Sequence, residues 1–145
     1  MAGQLITVSL TRCRQVSCDE RWQITRSYTP SSSLLWVPEL APSPGLFNQF
    51  ISRWKDQDPQ MWWPIYKEQF VGELEQEEKK SALRRLWKKL KAGKSIALVC
   101  FCPDASICHR SLVAEFMRQY GIEAFEYEPP SQREEVDSPY VTTLF

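Results

Sequence analysis

The residues best suited to chemistry lie between positions 100 and 110, in the segment CFCPDASICHR. Cys108 falls in the first turn of a predicted helix, where free backbone N–H groups and the positive end of the helix dipole stabilise a thiolate. We therefore predict a lowered pKa at Cys108. Arg110 adds positive charge nearby, and a helix N-terminus can also hold a phosphate or a carboxylate. The segment thus indicates a thiol nucleophile, an anion site, or both.

The single histidine, His109, lies on the apolar face of the same predicted helix. Four residues at helical spacing form this face: Leu112, Val113, Phe116 and Tyr120. The ring should therefore point toward the sheet, and a histidine on an apolar face is a core residue about as often as a catalyst. Neighbouring helix positions do not face each other, so we expect no direct general-base pair between Cys108 and His109.

Zinc is a weaker alternative for this segment. Its ligand types are present in Cys100, Cys102, Cys108 and His109. Structural zinc sites usually contain C-x2-4-C pairs, however, whereas this spacing is C-x-C-x5-C-H. Our first expectation is that the protein has no cofactor and that Cys100 is a small apolar core residue. Cys13 and Cys18 could join either site or neither.

The elements around this segment follow from the hydrophobic pattern. Four runs of apolar and β-branched residues predict strands, at residues 5–10, 22–28, 95–101 and 122–128. Apolar stripes at helical spacing begin near Leu46, Trp63, Leu83 and Leu112, whereas 34–45 is rich in proline and predicts irregular chain. We predict an α/β fold, a three-layer sandwich in which helices cover both faces of a mainly parallel sheet of about four strands.

Ligands of open α/β sheets bind beyond the carboxyl ends of the strands. If the strands are parallel, all five cysteines and the histidine should meet at that edge. We predict three catalytic residues there, Cys108, His109 and Arg110. The predicted binding residues are Arg26, Cys102, Asp104, Arg12 and Tyr66. The substrate would be a small molecule that carries a phosphate or a carboxylate.

Composition limits the other functions. The 18 basic and 18 acidic residues cancel, so no overall field attracts nucleic acid or a membrane. No apolar stretch is long enough for a signal peptide or a membrane span, which predicts a cytoplasmic protein without a membrane partner and with reduced thiols. We expect one α/β domain over residues 1–128 and an acidic, flexible tail over 129–145.

The basic segment 79–94 indicates a different class of function, nucleic-acid binding. The stripe of Lys80, Arg84, Lys88 and Lys91 could bind nucleic acid, with the Cys-His-Arg turn then purely structural. The competing interpretation is a solvated helix face, since four glutamates just before it offset much of the charge.

Several segments together resemble the domain of unknown function 488 family. They are ELAPS, WPIYKEQFVGEL, LVCFCPDASICHRSLVAEFM and GIEAFE, and the resemblance covers residues 4–128. Its most specific element, Cys-His-Arg at a helix start, is matched by residues 108–110. Members commonly carry an acidic residue where this chain has Cys102, which favours assistance of Cys108 by Cys102. The resemblance implies the α/β fold and the place of the site, and it implies no reaction.

Overall fold

The computed structural model describes residues 2–28 and 33–130. Within them lies one parallel five-stranded sheet, in the order β3-β2-β4-β1-β5. Its strands are β1 (Leu5–Ser9), β2 (Glu20–Gln23), β3 (Leu35–Trp36), β4 (Ile96–Cys100) and β5 (Ala124–Glu126). The predicted α/β sandwich is confirmed, with five strands rather than about four. Of the predicted acidic tail, residues 131–145 lie outside the described part of the chain.

Four α-helices accompany the sheet within residues 2–28 and 33–130: α1 (Pro44–Gln49), α2 (Pro59–Glu73), α3 (Glu77–Lys91) and α4 (His109–Arg118). A π-helical turn, Phe50–Trp54, continues α1. Helix α2 begins earlier than its apolar stripe predicts because Asp58 caps its N-terminus, and Pro64 consequently lies inside it. Gly93 and Gly121, with φ angles of 102° and 82°, follow the ends of α3 and α4 in the left-handed conformation that commonly stops a helix.

The sheet separates two apolar layers. The central strand β4 is buried along its whole length, as its uninterrupted apolar sequence predicts. Ile96, Leu98 and Cys100 face the cluster formed by the α-helices. Ala97 and Val99 face the other cluster, which the 3-10 helix Leu10–Gln15 covers. The second face is therefore covered by a 3-10 helix instead of an α-helix.

The second strand differs most from its prediction, because it ends at Gln23 and not near residue 28. The buried Gln23 amide donates hydrogen bonds to Thr25 Oγ1 and to the carbonyl of Ser27, which turns the chain away from the sheet. Residues 25–27 consequently form part of a pocket wall.

The predicted irregular stretch 34–45 also holds more order than expected. It contains β3, the 3-10 turn Pro38–Leu40 and the start of α1. The buried Lys79 ammonium group donates to the carbonyls of Glu39 and Ala41, which fastens this segment to α3. Burial lowers the pKa of Lys79 accordingly.

Among the helices of residues 2–28 and 33–130, none has the length and apolar character needed to cross a bilayer.

Candidate functional site

Cys108 occupies the N-cap of α4, one residue before the first helical turn in which the sequence places it. Its backbone is extended, with φ −128° and ψ 143°, and this conformation brings its sulfur toward the end of β4. Cys108 Sγ lies 2.7 Å from Cys100 Sγ. The sulfurs of Cys100, Cys102 and Cys108, hereafter the sulfur cluster, all lie within 4.8 Å of one another, and the group could hold a metal ion.

The pKa shifts of the sulfur cluster differ from the predicted pattern. Hydrogen bonds from the thiols of Cys102 and Cys108 lower the pKa of Cys100, and the charge of Arg110 adds to this effect. The hydrogen bond to Cys100 raises the pKa of Cys102 to about 11. Burial and the hydrogen bond to Cys100 raise the pKa of Cys108. The predicted lowering of the pKa at Cys108 is therefore wrong, since the hydrogen bonds within the cluster favour the thiolate of Cys100 over that of Cys108.

The buried Arg110 stabilises the thiolate form of Cys100. Its side chain is fully buried, and its Nη1 donates to Cys100 Sγ at 3.1 Å and to the Cys102 carbonyl at 2.6 Å. Nε and Nη2 bind the two carboxylate oxygens of Glu126 at 3.0 and 2.9 Å. All three nitrogens thus have protein partners, and Arg110 does not line the pocket as the anion ligand we expected. Its place is behind the thiols.

His109 points inward as predicted. Its Nε2 lies 2.6 Å from the carbonyl oxygen of Ile24, which can only accept a hydrogen bond. The proton therefore lies on Nε2, and Nδ1 is left with a free lone pair 3.8 Å from Cys108 Sγ. Burial lowers the pKa of His109, so the ring is neutral at pH 7. Cys108 and His109 make this contact although they are neighbours in the chain, because the backbone of Cys108 is extended and not helical.

A pocket of about 300 Å³ opens beside the sulfur cluster. Five of the predicted site residues line it: Arg26, Tyr66, Cys102, Cys108 and His109. Its floor is buried, since Cys108 is 1% exposed and Tyr66 is 6% exposed. The pocket therefore gives a small molecule access to a thiol.

Arg12 and Asp104 lie apart from this pocket. Both line a separate surface depression, together with Glu126 and Tyr127. The Asp104 carboxylate accepts hydrogen bonds from the backbone N–H and hydroxyl of Ser106, which lower the pKa of Asp104. Asp104 thereby caps the 3-10 turn Ala105–Ile107 and not α4. The structure does not bring these two predicted binding residues to the thiols.

Cys13 and Cys18 also lie elsewhere, so the expectation that all five cysteines meet is wrong. Cys13 is buried in the apolar layer opposite the α-helices, and Cys18 packs against the same layer. Burial raises the pKa of Cys18. The reason is that residues 10–15 form a 3-10 helix, which folds back over β1 and β4 and carries these cysteines away from the sheet edge.

The family model described as the active DUF488-N3 subclade matches residues 5–121. The chain belongs to the DUF488 family. The resemblance inferred from the motifs is thereby confirmed, and the matched range includes the Cys-His-Arg turn. No curated protein and no solved structure matches this DUF488 chain.

Several pocket residues of the DUF488 chain carry no sequence signal of their own. Aromatic side chains form much of the wall: Phe47, Phe50, Trp62 and Phe101. Lys55 adds a second cation beside Arg26, and it follows the π-helical turn that no periodicity predicts. Glu126, the partner of Arg110, could have been found, because β5 ends at the same edge of the parallel sheet.

Most basic side chains of the segment 79–94 in the DUF488 chain make contacts within the chain. Lys79 is buried, and five further members pair with acidic groups at 3.3 Å or less: Lys80 with Glu75, Arg84 with Glu77, Arg85 with Glu39, and both Lys89 and Lys94 with Glu20. The charge available to an external partner is therefore smaller than the sequence indicates.

Proposed function

We propose that this chain is a cysteine-dependent enzyme that acts on a small molecule bearing a phosphate or a carboxylate, with Cys108 as the nucleophile. The observation that carries the proposal is the position of Cys108. It lines the pocket and contacts two groups able to accept its proton, Cys100 Sγ at 2.7 Å and His109 Nδ1 at 3.8 Å. A nucleophile beside a base that a third group orients is the arrangement that covalent catalysis requires.

The raised pKa of Cys108 is compatible with this role because its proton need not leave the site. The hydrogen bond and the positive charge of Arg110 favour the thiolate form of Cys100. When Cys108 Sγ bonds to the electrophilic atom, its proton passes to Cys100 and the leaving group departs with the electron pair of the broken bond. Water then cleaves the bond between sulfur and substrate: its hydroxyl group goes to the substrate, one proton goes to Cys108, and the proton on Cys100 passes to the leaving group, which restores both the thiol and the thiolate.

The anion-binding part of the proposal rests on Arg26 and Lys55, which line the same pocket. For Arg26 the structure gives one hydrogen bond, a long one of 3.5 Å to the carbonyl of Pro42. A guanidinium group with donors to spare suits bidentate binding of a phosphate or carboxylate. The cysteine and the cations together would hold an anionic substrate with its reacting atom near Cys108.

A pair of reagents that differ only in charge tests this proposal. Iodoacetate and iodoacetamide alkylate thiols by the same chemistry, and the full chain should be labelled with each and mapped by peptide mass spectrometry. We expect iodoacetate to favour Cys108 over Cys18 by at least about tenfold more than iodoacetamide does, the effect of about 1.4 kcal/mol of charge attraction. Arg26→Gln should remove the preference.

Two controls make this test decisive. Cys18→Ser should leave the labelling of Cys108 unchanged, and Cys108→Ser should leave Cys18 as the main labelled residue. Equal preference of the two reagents for Cys108 in the wild-type chain would overturn the proposal.

A second candidate, zinc held by the sulfur cluster, has its own supporting observation. Metal-bound histidines usually donate their second ring nitrogen to a carbonyl or carboxylate. His109 does so toward Ile24, which leaves Nδ1 free beside Cys108. Cys100, Cys102, Cys108 and His109 would be the ligands. Elemental analysis of the purified chain tests this candidate: one equivalent of zinc, absent from Cys102→Ser, supports it, and metal-free protein after growth with zinc contradicts it.

The nucleic-acid alternative has less support, since the basic helix is largely paired within the chain. Lys88 and Lys91 remain as basic groups for which no ion pair is found among the described residues. Filter binding across a salt series would decide, because two or more phosphate contacts require a clear fall in affinity with salt.

The proposed cysteine-dependent enzyme also places the protein in the cytoplasm, since its thiols must stay reduced to act.

A further inference from the structure

The hydroxyl group of Tyr66 is the polar atom of the pocket that the proposed chemistry does not use. Tyr66 is 6% exposed and lines the pocket. Among the described residues its hydroxyl has no hydrogen-bond partner, yet no buried polar atom there is left wholly enclosed and unsatisfied. The hydroxyl must therefore reach the pocket space. Water can pair with the hydroxyl in the free pocket, and a ligand that displaces this water must offer an acceptor in its place.

The hydroxyl of Tyr66 remains protonated under all ordinary conditions. Burial is the main cause that raises the pKa of Tyr66, and the nearby cysteines add to it. Tyr66 and Cys108 line the same pocket. Tyr66 is thus a neutral hydrogen-bond donor next to the proposed nucleophile.

The pocket walls are built for a flat apolar group. Phe50, Trp62 and Tyr66 all line the space, and they pack edge to face with one another at 5.2 Å (Phe50–Trp62) and 5.9 Å (Trp62–Tyr66). Phe47 and Phe101 are 37% and 48% exposed, which places them at the mouth. Unsaturated rings stack favourably on aromatic side chains.

The charges lie toward the mouth and the reactive groups toward the floor. Lys55 is exposed and Arg26 half-buried, whereas Cys108, His109 and Tyr66 are buried. A volume of about 300 Å³ is at the small end of the range for sites that hold cofactor-sized ligands. A ligand that satisfies every group has an anion at one end, a flat ring between, and an acceptor atom beside the thiol.

We infer that the substrate is a planar unsaturated ring with one phosphate or carboxylate group, and that the Tyr66 hydroxyl donates a hydrogen bond to an oxygen or nitrogen acceptor on it. This inference rests on the proposed function and specifies its substrate class. Arg26 and Lys55 bind the anion, and the aromatic walls hold the ring. Saturated sugar phosphates of similar size would lack the stacking contribution.

Calorimetric titration of the full chain with two sets of probes tests the inference. One set is uridine 5′-monophosphate, uridine and ribose 5-phosphate, and the other is nicotinate and nicotinamide. In at least one set we expect the ring with the anion to bind at least tenfold tighter than the compound that lacks either part. A response in the uridine set identifies a phosphate as the anionic group of the ligand, and a response in the nicotinate set identifies a carboxylate. If no ring with an anion binds better than its neutral counterpart or than ribose 5-phosphate, the inference is wrong.

Tyr66→Phe isolates the hydroxyl, since the variant keeps the ring that stacks on Phe70 and Trp63. It should weaken the responding probe about five- to tenfold, the effect of one hydrogen bond. Tyr120→Phe changes an exposed tyrosine outside the pocket and should have no effect. Equal affinity of wild type and Tyr66→Phe would overturn the role of Tyr66.

The substrate class and the proposed function can fail separately. Cys108→Ala should keep the probe affinity within about threefold, because binding does not need the nucleophile. Tight binding of ring anions without the iodoacetate preference at Cys108 would contradict the proposed enzyme and support the binding site. The iodoacetate preference without ring selectivity would contradict the substrate class alone.

Discussion

Cys13 and Cys18 lie against the apolar layer opposite the α-helices, whereas the sulfur cluster lies on the helical face where β4 ends. Burial raises the pKa of Cys18, as it does for any thiol without strong donors. Burial acts on Cys100 in the same direction, but hydrogen bonds from two thiols and the charge of Arg110 outweigh it. Donors and a positive charge act on both thiols, since a backbone N–H and Arg21 also lower the pKa of Cys18, but they outweigh burial at Cys100 and not at Cys18.

Removal of the buried cation, Arg110, should have the largest effect on the difference between the two cysteine groups. Arg110→Met leaves the carboxylate of Glu126 and the thiolate of Cys100 without their shared partner, which should cost about 3–5 kcal/mol in the free energy of unfolding. Urea denaturation measures this loss. Arg118→Met, at the exposed end of the same helix, should change the stability by about 0.5 kcal/mol or less. A decrease in the free energy of unfolding below about 1 kcal/mol for Arg110→Met would show that Arg110 and Glu126 do not stabilise the sulfur cluster.

Oxidation should distinguish the two cysteine groups next. One equivalent of hydrogen peroxide oxidises two thiols to a disulfide and yields two water molecules, and Cys100 and Cys108 are already 2.7 Å apart. We expect peptide mapping to find this link as the main product, with Cys13 still reduced. Cys13→Ser should oxidise like the wild type, whereas Cys100→Ser should not form the link. A Cys13–Cys18 disulfide as the main product would contradict the account.

The smallest effect concerns His109 and pH. The unfolded chain binds a proton on this histidine near pH 6.5, whereas burial lowers its pKa in the folded state. The unfolded state therefore binds more protons below pH 7, and stability falls as the pH decreases, by about 1–2 kcal/mol between pH 7 and pH 5. The chain has a single histidine, so its ring proton signal in an NMR titration can be assigned without ambiguity.

His109→Gln provides the control for this prediction. A glutamine Nε2 can donate to the carbonyl of Ile24 without titrating, so the variant should lose most of the pH dependence. A histidine signal that titrates at the usual pKa in the folded protein would contradict the buried, neutral ring.

The sequence predicted the sheet and the place of the site because both depend on patterns that local chemistry sets. The apolar run before Cys100 predicts a buried central strand, and Gly121 predicts the end of α4. It also predicted that Arg26 lies near Cys108, since both follow strands that end at one edge, whereas Tyr66 reaches the same pocket from helix α2.

The electrostatics of the site could not be predicted in the same way. Helix α4 begins at His109, so Cys108 is its N-cap and not a member of its first turn, and its extended backbone turns the side chain toward Cys100. The role of Cys100 depends on Arg110, whose orientation is fixed by Glu126 sixteen residues further on. Such contacts are tertiary, and no spacing in the chain specifies them.

The central claim is that the sulfur cluster holds one thiolate at neutral pH and delivers it to the pocket through Cys108. The most direct measurement is the rate of iodoacetamide labelling at each of the five cysteines from pH 5.5 to pH 9, read by peptide mass spectrometry. The account predicts that Cys108 reacts at a nearly constant rate above pH 6, while the rate at Cys18 rises about tenfold per pH unit. Equal pH profiles for Cys108 and Cys18, both rising toward pH 9, would contradict it.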